Sequence, residues 1–131
     1  MPRPEFQPVP LGVLWRASAR RALSTEAEGL HLLVEAIDGA LGAALAQAVG
    51  RLRNLRGRAI LTGMGKSGHV ARKLAATLSS TGTPALFVHP AEASHGDLGM
   101  ITAEDAVIMI SNSGESPELR DILVYSRRFA V

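Results

Sequence analysis

Three short apolar runs, set apart by helix-patterned stretches, do most to limit what this chain can fold into. "RAILT" (Arg58–Thr62), "PALFV" (Pro84–Val88) and "AVIMI" (Ala106–Ile110) are each about one strand long. The last is apolar without alternation, the pattern of a strand buried on both faces of a parallel sheet. Between the first two, "SGHVARKLAATLSST" places Val70, Leu74, Ala75 and Leu78 at helical spacing, and Gly82 closes that helix. After the third run, "SNSGES" leads to Pro117, which suits the first turn of a helix through "ELRDILVYSRRF". The alternation predicts an α/β fold, a three-layer α/β/α sandwich around a parallel sheet. Three strands make a thin sheet, so the expectation is one that is incomplete after its third strand.

Upstream, Leu23, Ala27, Leu30, Val34, Ile37, Leu41, Leu45, Ala48 and Leu52 recur in steps of three and four. That spacing predicts one long amphipathic helix whose apolar stripe faces either the sheet or a second subunit. Thr25 followed by Glu28 reads as a capping box, giving a helix start there or nearer Ser18. Residues 1–16 are Pro-rich and read as an extended or disordered arm, with 17–131 as a single partial domain.

Composition removes several function classes. Fourteen Lys and Arg against twelve Asp and Glu leave a net charge of +2, too small an excess for a basic nucleic-acid face. Aromatics make up only 4% of the chain, so bases would have few rings to stack on. Much of the positive charge sits in "RLRNLRGR", where it complements a helix C-terminus. With no cysteine there is neither a disulfide nor thiolate chemistry, which fits a reducing cytoplasm. No apolar run approaches the roughly 20 residues of a membrane span.

"GMGKSG", Gly63–Gly68, follows the first strand and carries two conflicting suggestions. A P-loop needs a glycine five residues before its Gly-Lys-Ser, and that place is held by Ile60, inside the strand. Gly63, Gly65 and Gly68 also spell a dinucleotide fingerprint, which calls for an acid at the end of the second strand. The chain has His89 and Pro90 there, with Glu92 beyond them. What survives is general: a tight turn into a helix whose first N–H groups favour an anion, with Lys66 and Ser67 beside it. A plain strand–helix turn explains this loop equally well.

The second loop changes that balance. Ser111, Asn112, Ser113 and Ser116 bring three hydroxyls and an amide to the start of another helix. A cap explains Ser116 but not the others. In strand order 2-1-3 the first and third strands are neighbours, and both loops open at the switch point where α/β sheets bind ligands. One phosphate held between Ser67 and Ser111–Ser116 points to a phosphorylated metabolite. Beside it, "HPAEASHGDLGM" gathers His89, Glu92, His95 and Asp97, which suit acid–base chemistry as well as they suit a polar surface loop. Their spacing matches no metal-ligand signature.

Taken together, "GMGKSGHVARKLAATLSSTGTPALFVHPAEASHGDLGMITAEDAVIMISNSGESPE" closely resembles the sugar isomerase (SIS) domain, in particular arabinose-5-phosphate isomerases of the KpsF/GutQ type. The resemblance covers about Ala19–Val131 and is strongest from Gly63 to Glu118. It implies a five-stranded parallel sandwich that binds phosphosugars at the strand C-termini and works in the cytoplasm as a homo-oligomer, a dimer or tetramer. The implied reaction interconverts ribulose 5-phosphate and arabinose 5-phosphate at the head of the Kdo branch of lipopolysaccharide synthesis, with no cofactor or metal. Residue by residue it implies substrate binding by Gly65, Ser67, Ser111, Asn112, Ser113 and Ser116. Lys66, His95 and Glu118 match positions associated with catalysis, and Glu115 lies beside them. Family members continue through further strands and often a pair of CBS domains, so a non-catalytic phosphosugar-binding module is the competing expectation.

Overall fold

The computed structural model describes residues 10–131. The chain divides into two compact units, Met1–Gln47 and Ala48–Val131.

In the first unit Pro10 precedes α1 (Leu11–Asp38) in an extended conformation, with φ −55° and ψ 133°. Part of the expected arm lies outside the described residues, but Leu11–Arg16 are already helical. They contain no proline, so the bias that suggested an arm ends at Pro10. Thr25 does not cap a helix start; its hydroxyl donates to the Arg21 carbonyl at 3.0 Å within α1. The single helix expected from Leu23 to Leu52 is interrupted at Gly39, and α2 (Ala40–Arg53) follows. The Gly39 N–H bonds to Ala36 O and the Gly42 N–H to Gly39 O. A Cβ at Gly42 would collide with the Ile37 carbonyl, so glycine permits the turn here.

The second unit is built on β1 (Ala59–Gly63), β2 (Ala85–Phe87) and β3 (Ala106–Ile110), parallel and in the order β2-β1-β3. β1 is central and wholly buried. Its alternation sends side chains to two cores. Ala59 and Leu61 pack with Ala71 and Ala75 of α3 (Gly65–Ser80). Ile60 packs with Val88, Ala93 of α4 (Pro90–Ser94), Ile101 and Ile122 of α5 (Arg120–Phe129). Helices therefore cover both faces of the sheet, as the apolar runs required. Short 3₁₀ turns at Asp97–Met100 and Pro117–Leu119 complete the unit.

α3 meets its expected face only in part: Ala75 is buried and Leu78 packs on the same core, but Val70 and Leu74 stay exposed. Gly68, Ala71 and Ala75 are buried, whereas Val70 is 57% exposed. Small residues let the helix axis approach the strands, and that close approach outweighs the larger side chains.

One ion pair ties the N-terminal ends of the strands. The Arg58 guanidinium reaches Asp105 Oδ2 at 2.9 Å, and the Arg58 and Thr102 amides donate to the same carboxylate at 2.7 and 2.9 Å. Burial would raise the Asp105 carboxyl, but the Arg58 side-chain hydrogen bonds, the two amide bonds and the Arg58 charge outweigh it, bringing it to about 2 from 3.8. Because the folded value lies below the unfolded one, this stabilisation is complete above pH 5 or so. It is lost as the pH falls through 3.8 towards 2. Screening at the partly exposed guanidinium leaves about 1–2 kcal/mol. Thermal unfolding followed down this pH range is expected to show the loss in the parent chain and a flatter profile in Asp105→Asn.

Candidate functional site: three loops at one sheet edge

The strand register decides where the loops meet. Gly63, the last residue of β1, is level with Ile110, the last residue of β3. On the other side Leu61 pairs with Phe87, and the Val88 N–H donates to Leu61 O at 2.9 Å. All three strands therefore end at the same edge. From it leave Met64–Ser67, His89–His95 and Ser111–Ser116, the three segments that carry the candidate chemistry.

The first segment begins α3 without a side-chain cap. Met64 is extended, and the next hydrogen bond runs from the Gly68 N–H to Met64 O at 3.2 Å. Gly65, at φ +53°, opens the helix; Lys66 is exposed and Ser67 half-buried in its first turn. The N–H groups of such a turn, with the dipole behind them, are suited to an anion. Close packing fixes the turn's position. A Cβ on Gly68 would lie 2.6 Å from Gly63 O, and one on Gly63 would lie 2.9 Å from Ile110 O.

The second segment holds itself together. The Gly114 N–H donates to Ser111 Oγ at 3.1 Å, the Glu115 N–H to Ser113 Oγ at 3.2 Å, and the Ser111 and Ser116 hydroxyls meet at 2.8 Å. Gly114 adopts φ +74°, a left-handed conformation that an L side chain would strain. These bonds account for Ser111, Ser113 and Ser116 within the loop itself, which a cap alone did not. Ser113 spends only an acceptor, so its O–H is left to donate outward, and one of the paired hydroxyls is likewise left with its proton. Asn112, Glu115 and Glu118 are exposed, Glu118 in the 3₁₀ turn that follows.

The third segment orients two imidazoles oppositely. His89 caps α4, its Nδ1 accepting from the Ala91 N–H at 3.2 Å. His95 closes α4, with Nδ1 3.0 Å from the Ala91 carbonyl. A carbonyl only accepts, so His95 Nδ1 carries the proton in this contact and Nε2 of the neutral ring offers the lone pair. Ser94, beside it, donates to Asp121 Oδ2 on α5 at 2.8 Å, tying the end of α4 to the opposite helix. Neither Ser94 nor Asp121 was legible as a pair, since 27 residues separate them and no local pattern joins them. Glu92 lies in the first turn of α4 and Asp97 starts the next turn. Among the described residues no three His, Asp or Glu come together as a metal site.

The edge thus presents anion-ready backbone, outward hydroxyls, an ammonium, carboxylates and an imidazole with a defined free nitrogen. A profile of the SIS domain matches residues 52–131, and this chain belongs to that family. The arabinose 5-phosphate isomerase KdsD of Pseudomonas aeruginosa is 46% identical over 114 residues, covering 87% of this chain and 34% of the relative. KdsD of Escherichia coli K12 is 58% identical over 76 residues, 58% of this chain and 23% of the relative. A protein of E. coli CFT073 solved in complex with arabinose 5-phosphate superimposes with a TM-score of 0.70 at 39% identity, over 86% of this chain and 60% of that one. The chain spans about a third of the length of the curated relatives it matches across most of its own length. No single helix among the described residues is long and apolar enough to cross a membrane.

Proposed function

We propose that the chain binds a pentose phosphate at this edge as an SIS domain over residues 17–131, and interconverts D-ribulose 5-phosphate and D-arabinose 5-phosphate. The observation carrying this reading is the level ending of β1 and β3, which puts the uncapped start of α3 beside the hydroxyl-rich Ser111–Ser116 loop. Gly65, Ser67, Ser111, Asn112, Ser113 and Ser116 hold the phosphate end of the sugar. The identity to KdsD enzymes supplies the choice of pentose.

The reaction moves one proton between neighbouring carbons and another between their oxygens. Glu118 or Glu115 removes a proton from C1 of ribulose 5-phosphate, and the released electron pair forms the C1–C2 double bond. The C2 carbonyl electrons move to O2, giving an enediolate that the Lys66 ammonium stabilises. The carbon-bound proton returns at C2, while His95 Nε2 carries a proton from O1 to O2 and leaves the aldehyde at C1. On this reading the protein acts in the cytoplasm, in the Kdo branch of lipopolysaccharide synthesis, as a homo-oligomer.

The test incubates the chain with ribulose 5-phosphate and follows arabinose 5-phosphate, with thermal unfolding in parallel. Formation of arabinose 5-phosphate, together with stabilisation by that sugar which Ser113→Ala weakens, is the expected result. Stabilisation without turnover assigns a non-catalytic phosphosugar-binding module. Stabilisation by NAD and none by either pentose phosphate overturns both.

A further inference from the structure

Two hydrogen bonds to one face of α5 grip the chain on either side of His95. Before it, the Ser94 hydroxyl donates to Asp121 Oδ2 at 2.8 Å. After it, the Tyr125 hydroxyl donates to the Ile101 carbonyl at 3.2 Å. Asp121 and Tyr125 stand one helical turn apart on α5 and so share a face. The Ser94 bond has a local competitor, because its oxygen is also 3.3 Å from the Pro90 carbonyl one turn back in α4. A hydroxyl has a single proton, and the shorter contact to a charged acceptor takes it. Ser94 thus bonds across to another helix in preference to its own. The Tyr125 ring lies against Phe129, 4.5 Å between centroids, so its hydroxyl is delivered by a side chain that is itself packed.

We infer that Asp121 and Tyr125 are positioning residues, which hold the His95 segment in register with Glu118. α5 follows directly on the 3₁₀ turn that carries Glu118, and Leu119 and Ile122 anchor that junction at 7% and 0% exposed. Glu118 and both grips therefore belong to one anchored element. The segment opposite needs them. α4 has only five residues, too few to keep its shape alone. Gly96, directly after His95, adopts φ +135° and brings no side chain to brace the turn. An acid in the first turn of α5 suits the helix dipole, but that account leaves Ser94 and Tyr125 unexplained. The Ser94–Asp121 bond is exposed, so its loss costs the fold little and shows itself at the site. The inference rests on the isomerase reading with Glu118 as the carbon base, and it leaves both phosphate loops untouched.

Steady-state kinetics on the full chain test it. Ser94→Ala and Asp121→Ala are each expected to lower kcat about tenfold and Tyr125→Phe about threefold, with KM unchanged because the phosphate is held elsewhere. Ser94→Ala and Asp121→Ala combined lose no more than either alone, since one bond joins them. Asp121→Asn keeps an acceptor for Ser94 and restores most of the rate. A helix charge acting alone predicts the reverse, with Asn as poor as Ala and Ser94→Ala equal to the parent, and that pattern overturns the inference. A second readout needs no turnover. Long-range proton–nitrogen spectra in alkaline buffer report which ring nitrogen of His95 carries the proton, its signal being identified by its absence in His95→Gln. The parent is expected to show the Nδ1–H form that bonds to the Ala91 carbonyl, and Ser94→Ala and Asp121→Ala a mixture of tautomers. If the parent makes no arabinose 5-phosphate, the isomerase reading fails by itself and this spectrum decides whether the grip holds His95. A tautomer unchanged in both variants overturns it.

Discussion

Gly68→Ala is expected to lower stability by about 3 kcal/mol and to abolish stabilisation by arabinose 5-phosphate. The added methyl would sit 2.6 Å from Gly63 O and 3.3 Å from Gly63 C. Both are backbone atoms of the central strand, so no side chain can swing aside to relieve the contact. Relief requires α3 to lift from β1, which opens the packing of Ala71 and Ala75 on Leu61. It also carries the uncapped first turn, with Lys66 and Ser67, away from the Ser111–Ser116 loop. Urea denaturation gives the stability, and thermal shift with the sugar gives the site. A variant as stable as the parent would show that α3 is not held by this contact. A destabilised variant that still responds fully to the sugar would separate the site from the helix start.

The sheet was legible because its strands are nearly pure signal. Ala59–Gly63 and Ala106–Ile110 have no polar alternation, the mark of a sheet covered on both faces; the first is wholly buried and the second half-buried at every position. The helices were read less well, for a physical reason. Sequence periodicity weights large apolar residues, so it pointed to Val70 and Leu74 on α3 and to a single helix across Gly39. The sheet takes Ala75 and Leu78 as expected but adds the small residues Gly68 and Ala71 in place of Val70 and Leu74, and a turn containing Gly42 outweighs the continuing stripe.

At the candidate site, the residues that sequence singled out are those whose signal is local. Gly63–Gly68 and Ser111–Ser116 each lie between a strand and a helix, and their serines and glycines mark them. What sequence could not give is the long-range wiring. Arg58 and Asp105 are 47 residues apart, and each alone is an ordinary charged residue beside a strand. Ser94 reaches Asp121 across two helices in the same way. The hydrogen bonds inside the Ser111–Ser116 loop were equally hidden, because side-chain direction within six residues depends on the left-handed turn at Gly114.

Removing the Lys66 ammonium is expected to slow isomerisation by about 10²–10³-fold, with little change in stability. Lys66 is exposed in the first turn of α3 and supports no core contact, so Lys66→Ala should unfold at the parent temperature. On the proposed mechanism the loss should fall on kcat, since the enediolate charge assigned to Lys66 exists only after the carbon proton has left. His95 admits a finer dissection, because the proposed mechanism gives its two nitrogens different tasks. Asn can imitate Nδ1 and keep the bond to the Ala91 carbonyl, whereas Gln sets a polar atom near Nε2 but moves no proton. Both His95→Asn and His95→Gln should lose about 10²–10⁴-fold in kcat, the usual contribution of one acid–base group. If position alone mattered, Asn would retain activity by preserving the turn, and His95 would be a structural cap of α4. Turnover that survives both Lys66→Ala and His95→Gln would remove the catalytic assignment of these two residues.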